Sequence, residues 1–155
     1  MKRSKVVKVL LIVLPILVGY TSSILTRTMV EHYGVLNKPF LSPAPMVFPI
    51  AWSILYLLMG IASAIIYSKQ DSENRTIGLI FHFIQLVLNF FWSIIFFNLQ
   101  NYLLAFIWLI LLWLSVFSMI VNYKKVNMGA TILNIPYICW LTFAGYLNLM
   151  VYILN

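Results

Sequence analysis

Long apolar runs, broken by short polar punctuation, set the pattern of this chain. Five stretches are predominantly apolar over about 20 residues, the length a helix needs to cross the hydrocarbon core of a bilayer. They cover about residues 6–25, 46–67, 77–97, 102–121 and 130–154. The connections between them differ in kind. The first, 27–45, is long and rich in proline; the second, "SKQDSENRT", is polar and near-neutral. The third, "NLQN", is so short that its flanking helices must be antiparallel neighbours. The fourth, "NYKKVNMG", is basic. This predicts an all-α integral membrane protein, one domain over residues 1–155, built as a bundle of five transmembrane helices. The opening "MKRSKVVKVLLIVLPILVG" has the basic start and apolar middle of a signal peptide. Its apolar stretch runs past residue 19 without an A-x-A-like cleavage site, so it reads as a retained first helix.

Composition agrees with the pattern. Hydrophobic residues make up 63% of the 155 and charged residues 8%, against about 45–50% and about 25% in soluble domains. A soluble core of this size cannot hide so much apolar surface. The net charge of +7 does not indicate nucleic acid, because the charges sit at the edges of apolar runs and form no basic stripe. They read as topology signals. Lys2, Arg3, Lys5, Lys8, Lys69, Arg75, Lys124 and Lys125 fall on the N-terminal side, and only Arg27 and Lys38 on the other. Positive residues favour the cytoplasm, which predicts a cell-membrane protein with its N-terminus inside, its C-terminus outside and loop one on the outer face. Cys139 is the only cysteine, so neither an internal disulfide nor a cysteine metal site is expected.

Loop one carries Pro39, Pro43 and Pro45, and Pro49 follows in what reads as the first turn of helix two. Proline fixes φ and favours extended or turn backbone. A loop stiffened in this way suits a lid, and equally a rigid linker. Trp52 then lies about one turn into helix two, and Trp52, Tyr56 and Met59 share a face at i, i+4, i+7 spacing.

At this point the chain resembles a known family. "KPFLSPAPMVFPIAWSILYLLMG" is similar to the first loop and second helix of the translocator protein family, the tryptophan-rich sensory proteins (TspO/MBR). That family's pattern is roughly K-P-x-W-x-P-P followed by V-W-x-x-L-Y-x-x-M-G. Lys38, Pro39, Pro43, Trp52, Leu55, Tyr56, Met59 and Gly60 match it. "QLVLNFFWSIIFF" resembles Q-L-x-L-N-x-x-W-x-x-x-F-F, and "PYICWLTFAGYLN" resembles P-Y-x-x-W-x-x-F-x-x-x-L-N. Leu41 stands where the family has tryptophan, and Ala44 where it has the second proline. The tail "LNLMVYILN" lacks the cation of the proposed sterol motif of mammalian members, which makes sterol binding doubtful.

No Asp, Glu, Lys or Arg lies centrally in any span, which argues against a carboxylate proton relay. The polar residues that remain are neutral. His82, Gln85, Asn89 and Trp92 form one stripe on helix three, and Tyr137, Trp140, Ala144 and Asn148 a comparable one on helix five. Their bland role is hydrogen bonding between helices. Pro15 and Pro136 mark expected kinks. His82, near the start of helix three, reads as an interfacial or hydrogen-bonded histidine; His32 lies on the other side, so no shared metal is expected.

Together these readings predict one apolar cavity. Trp52, Tyr56, Asn89, Phe91 or Trp92, Trp140, Phe143 and Ala144 would line it, with Asn148 on the same face, and loop one would close it with Tyr33 and Pro43 to Pro45. Indole faces stack on flat ligands, and Arg27 or Lys38 offers a contact to carboxylates. The resemblance implies porphyrin, haem and other aromatic small molecules as ligands, with no required cofactor, and often a homodimer. It also implies a second function: light-dependent degradation of protoporphyrin, with Trp52 and Trp140 as the catalytic residues. Since no nucleophile–base pair is evident, the residues themselves favour binding, as a sensor, scavenger or translocator.

Overall fold

The structure is a computed structural model that describes residues 4–26 and 34–155. Among the described residues the elements are five long helices: α1 (Lys5–Thr26), α2 (Val47–Tyr67), α3 (Glu73–Ser93), α4 (Tyr102–Val126) and α5 (Met128–Leu154). A π-helical turn, Ile94–Asn98, continues α3. All five are long and apolar enough to cross a membrane. Tyr33, Arg27 and His32 lie outside the described residues.

Polar residues at several ends join the helices instead of the loops. Helix α3 begins at Glu73, not near residue 77, because Ser72 caps it: its hydroxyl accepts from the Arg75 amide at 3.2 Å, with Glu73 in the first turn. Arg75 folds back to Asp71 and to the Tyr67 carbonyl at the end of α2. Helix α4 runs through "NYKKV" to Val126, where Lys124 and Lys125 complement the negative end of the helix dipole. Only Asn127 separates it from α5, whose first turn it caps through the Ala130 amide at 3.0 Å. The "NLQN" turn closes with Gln100 in the left-handed region (φ 51°) and Asn101 capping α4.

Around the bundle the helices pack in the order α1, α2, α5, α4, α3, and α3 returns to α1. Helices α1 and α2 approach closely at Gly60, where an added Cβ would stand 2.8 Å from the Ile12 Cα. Small residues permit such crossings in membranes, where packing replaces the hydrophobic effect between helices. Helices α3 and α5 face each other across the interior and are bridged by side chains. Met59, Leu112, Val116, Met119, Tyr123, Tyr137 and Leu141 fill the centre.

Midway along, loop one is tied to the C-terminal end of α5. The Asn37 amide donates to Asn155 Oδ1 at 2.9 Å, and Asn155 Nδ2 donates to the Asn37 carbonyl at 3.0 Å. Pro39 is buried, Pro43 half-buried and Pro45 exposed.

Candidate functional site

Trp52 is the hub of an aromatic cluster at the loop-one end of the bundle. One turn into α2, its ring stacks on Tyr56 at 5.5 Å between centroids. It meets Trp140 of α5 edge-on at 6.4 Å and 85°, Tyr137 at 6.2 Å, and Trp92 of α3 at 6.4 Å. The two indoles singled out from the sequence therefore converge, although 88 residues separate them in the chain. Phe143 adds a tilted ring at 5.8 Å from Trp140, and Ala144 is buried beside Trp92. Such aromatic pairs prefer offset and edge-to-face geometry.

Beneath the rings runs a directed circuit of hydrogen bonds. The Tyr56 hydroxyl donates to Asn89 Oδ1 at 2.7 Å, and Asn89 Nδ2 donates to the Tyr137 oxygen at 2.9 Å. The Tyr137 hydroxyl donates to Gln85 Oε1 at 2.7 Å, and Gln85 Nε2 donates to Met59 Sδ at 3.4 Å. The circuit starts and finishes on α2, crossing α3 and α5 on the way. Aligned donors polarise one another, and every member is buried, so the side chains are held in single orientations. A second bridge fixes Trp92: its Nε1 donates to Asn148 Oδ1 at 3.1 Å, while Asn148 Nδ2 donates to the Tyr102 carbonyl at 2.8 Å.

Not every expected residue joins this site. Of the pair Phe91 and Trp92, only Trp92 turns inward. Phe91 is 45% exposed and sets its ring against Trp108 of α4, because one residue along a helix is a rotation of about 100°. Pro45 is exposed on loop one, whereas Leu36 packs against the cluster. Tyr33 lies outside the described residues. His82 was expected to be interfacial or hydrogen-bonded, and is neither: it is buried, with no hydrogen-bond partner on either ring nitrogen among the described residues. Its helix starts at Glu73, earlier than the apolar run does, which moves it from the second turn to the third.

Sequence reasoning also passed over Phe48 and Phe96. Phe48 meets Trp140 edge-on at 6.0 Å, and its place four residues before Trp52 was the available signal. Phe96 stacks on Trp92 at 5.4 Å. It belongs to the π-helical turn, whose phase the 3.6-residue period does not describe. The Nε1 of Trp140 is buried with no hydrogen-bond partner among the described residues.

These features define a five-helix membrane protein with an indole-lined, hydrogen-bond-braced interior site. The chain belongs to the TspO/MBR family, whose model matches residues 11–154. It is 34% identical over 140 residues to the tryptophan-rich protein TspO of Chlorobaculum tepidum, covering 89% of each chain. It is 37% identical over 139 residues to the protein of the same description from Archaeoglobus fulgidus, covering 89% of this chain and 90% of that one. Protein CrtK of Rhodobacter capsulatus is 39% identical over 124 residues, covering 79% and 78%.

Proposed function

We propose that this protein binds porphyrins and similar planar aromatic molecules at the Trp52–Trp140 cluster beneath loop one, as a sensor, scavenger or translocator. The observation that carries the reading is the pair of indoles meeting edge-on at 6.4 Å, with the Trp140 N–H buried and unmatched. A buried donor without an acceptor is costly. A tetrapyrrole brings acceptors together with a flat face for the neighbouring rings. On this reading loop one faces outward, the side with fewer Lys and Arg.

The test is a dark titration of the purified protein with protoporphyrin, followed by quenching of tryptophan fluorescence. Saturable quenching is expected, and Trp140→Phe should weaken affinity roughly tenfold, about 1.4 kcal/mol. Quenching that rises linearly without saturation, in protein shown to be folded, sinks the proposal.

A second reading is favoured by one feature. Trp52 touches Tyr56, Trp92, Tyr137 and Trp140 within 6.4 Å, an arrangement suited to moving electrons between rings. In this reading the excited porphyrin takes an electron from an indole, the reduced macrocycle adds dioxygen, and an electron returns to the indole radical cation, so that tryptophan is regenerated and dioxygen is the net oxidant that opens the ring. Illumination of the complex should then produce a bilin-like absorption band. The pair Trp52→Phe and Trp140→Phe should lose that product even at saturating porphyrin. Nonspecific bleaching by the wild type would leave binding as the whole function.

A further inference from the structure

His82 and Asn134 are both 0% exposed, and both carry buried polar atoms that lack a partner among the described residues. Among the described residues neither ring nitrogen of His82 has a hydrogen-bond partner, and neither does Asn134 Oδ1. The Asn134 amide cannot be turned over to cure this, since its Nδ2 already donates to the Ala130 carbonyl at 2.9 Å. A neutral imidazole needs one donor and one acceptor in either tautomer. The Ser115 hydroxyl is also unmatched, but a serine on a helix can reach its own backbone by rotating. The other two have no such local remedy.

Their positions are related. His82 lies three residues from Gln85 on α3, toward loop two, and Asn134 lies three residues from Tyr137 on α5, toward loop four. Gln85 and Tyr137 are hydrogen-bonded across the interior. The two helices run in the same direction, because only α4 turns back between them. One step of about 4.5 Å down each helix therefore brings His82 and Asn134 to one depth, on the faces that carry the polar circuit. Side chains, not close backbone packing, span α3 and α5 here. Gln85 Nε2 also retains a second hydrogen beyond the one it gives Met59.

We propose that His82 and Asn134 form an internal water site that carries the Tyr56–Asn89–Tyr137–Gln85 circuit on toward loop two. Water is the ligand whose chemistry fits. It supplies donors for Asn134 Oδ1 and for the bare imidazole nitrogen, and acceptors for the imidazole N–H and for Gln85. A metal ion has too few ligands here, since no carboxylate or thiolate belongs to the group. The site stands whichever molecule occupies the aromatic cluster.

Histidine labelling tests this directly. His32→Gln leaves His82 as the chain's sole histidine. In lipid bilayers, solid-state NMR with ring-¹⁵N histidine should show magnetisation passing from water to the His82 nitrogens. Ring signals that are clear in the ordinary spectrum but absent from the water-edited one overturn the proposal. Thermal melts give a second reading of opposite sign for the two cases. A hydrated site predicts that His82→Leu and Asn134→Leu each lower the melting temperature by several degrees, and that the double variant loses less than the sum, because both share the water. A dry site predicts a rise, since an unmatched polar group is being removed.

Discussion

Helices α3 and α5 carry polar side chains at both ends of their shared interior, and the two ends are finished differently. Toward loop one, Asn89, Tyr137, Trp92 and Asn148 all find partners within the protein, and aromatic rings cover them. Toward loop two, His82 and Asn134 leave three buried atoms unmatched. The same residue types at similar helical spacing thus do different work. Where partners are present, polarity locks rings into a fixed constellation. Where they are missing, it marks a place for something small to enter. The exception at the loop-one end is the Trp140 N–H, buried without a partner among the described residues.

The strongest way to break this contrast is Asn89→Leu. Asn89 is the junction of the circuit, accepting from Tyr56 and donating to Tyr137. Its loss strands the buried Tyr56 hydroxyl and takes from Tyr137 the donor it accepts from, leaving that hydroxyl its bond to Gln85; a cost of about 1–3 kcal/mol is expected, read as a lowered thermal midpoint in nanodiscs. Porphyrin affinity should fall with it, since Tyr56 supports Trp52. An unchanged midpoint would show that the circuit is incidental. Tyr123→Phe probes the opposite end. It removes the 3.0 Å contact with Ser63 but keeps the ring. Destabilisation of about 0.6 kcal/mol is expected, with no change in porphyrin titration; a weakened titration would mean the ends are coupled. Phe91→Leu should likewise leave the titration unaltered, because that ring faces outward against Trp108. The smallest effect belongs to Asn155→Ala. It releases the reciprocal bonds with Asn37 at a stability cost within about 0.5 kcal/mol. Amide exchange at Asn37 should nonetheless quicken, and equal protection in both proteins would argue against an anchored loop.

Much of this was legible in the residues. Five apolar runs of spanning length gave five helices, because no soluble arrangement can bury them. The stripe Gln85, Asn89, Trp92 followed from helical spacing and is where the circuit lies. Phe91 against Trp92 was not decidable, since neighbouring aromatics in an apolar run carry no mark of which one turns inward. Helix ends were misjudged where "SENRT" and "NYKKV" looked like loops. There capping and the helix dipole favour polar residues inside the helix, a preference that hydropathy does not register. The burial of His82 was hidden for the same reason. The π-helical turn that brings Phe96 onto Trp92 breaks the period on which such readings depend.

The packing order has a consequence for biogenesis. Neighbours in sequence, α1 with α2 and α3 with α4, form two hairpins, while α5 wedges between α2 and α4. It alone delivers Tyr137, Trp140 and Asn148 to the partners waiting on α2 and α3. A nascent chain stalled before Met128 would hold four inserted helices and half a constellation. The ribosome must therefore finish the last span before the aromatic cluster can close, and assembly of the interior is deferred to the final moments of synthesis.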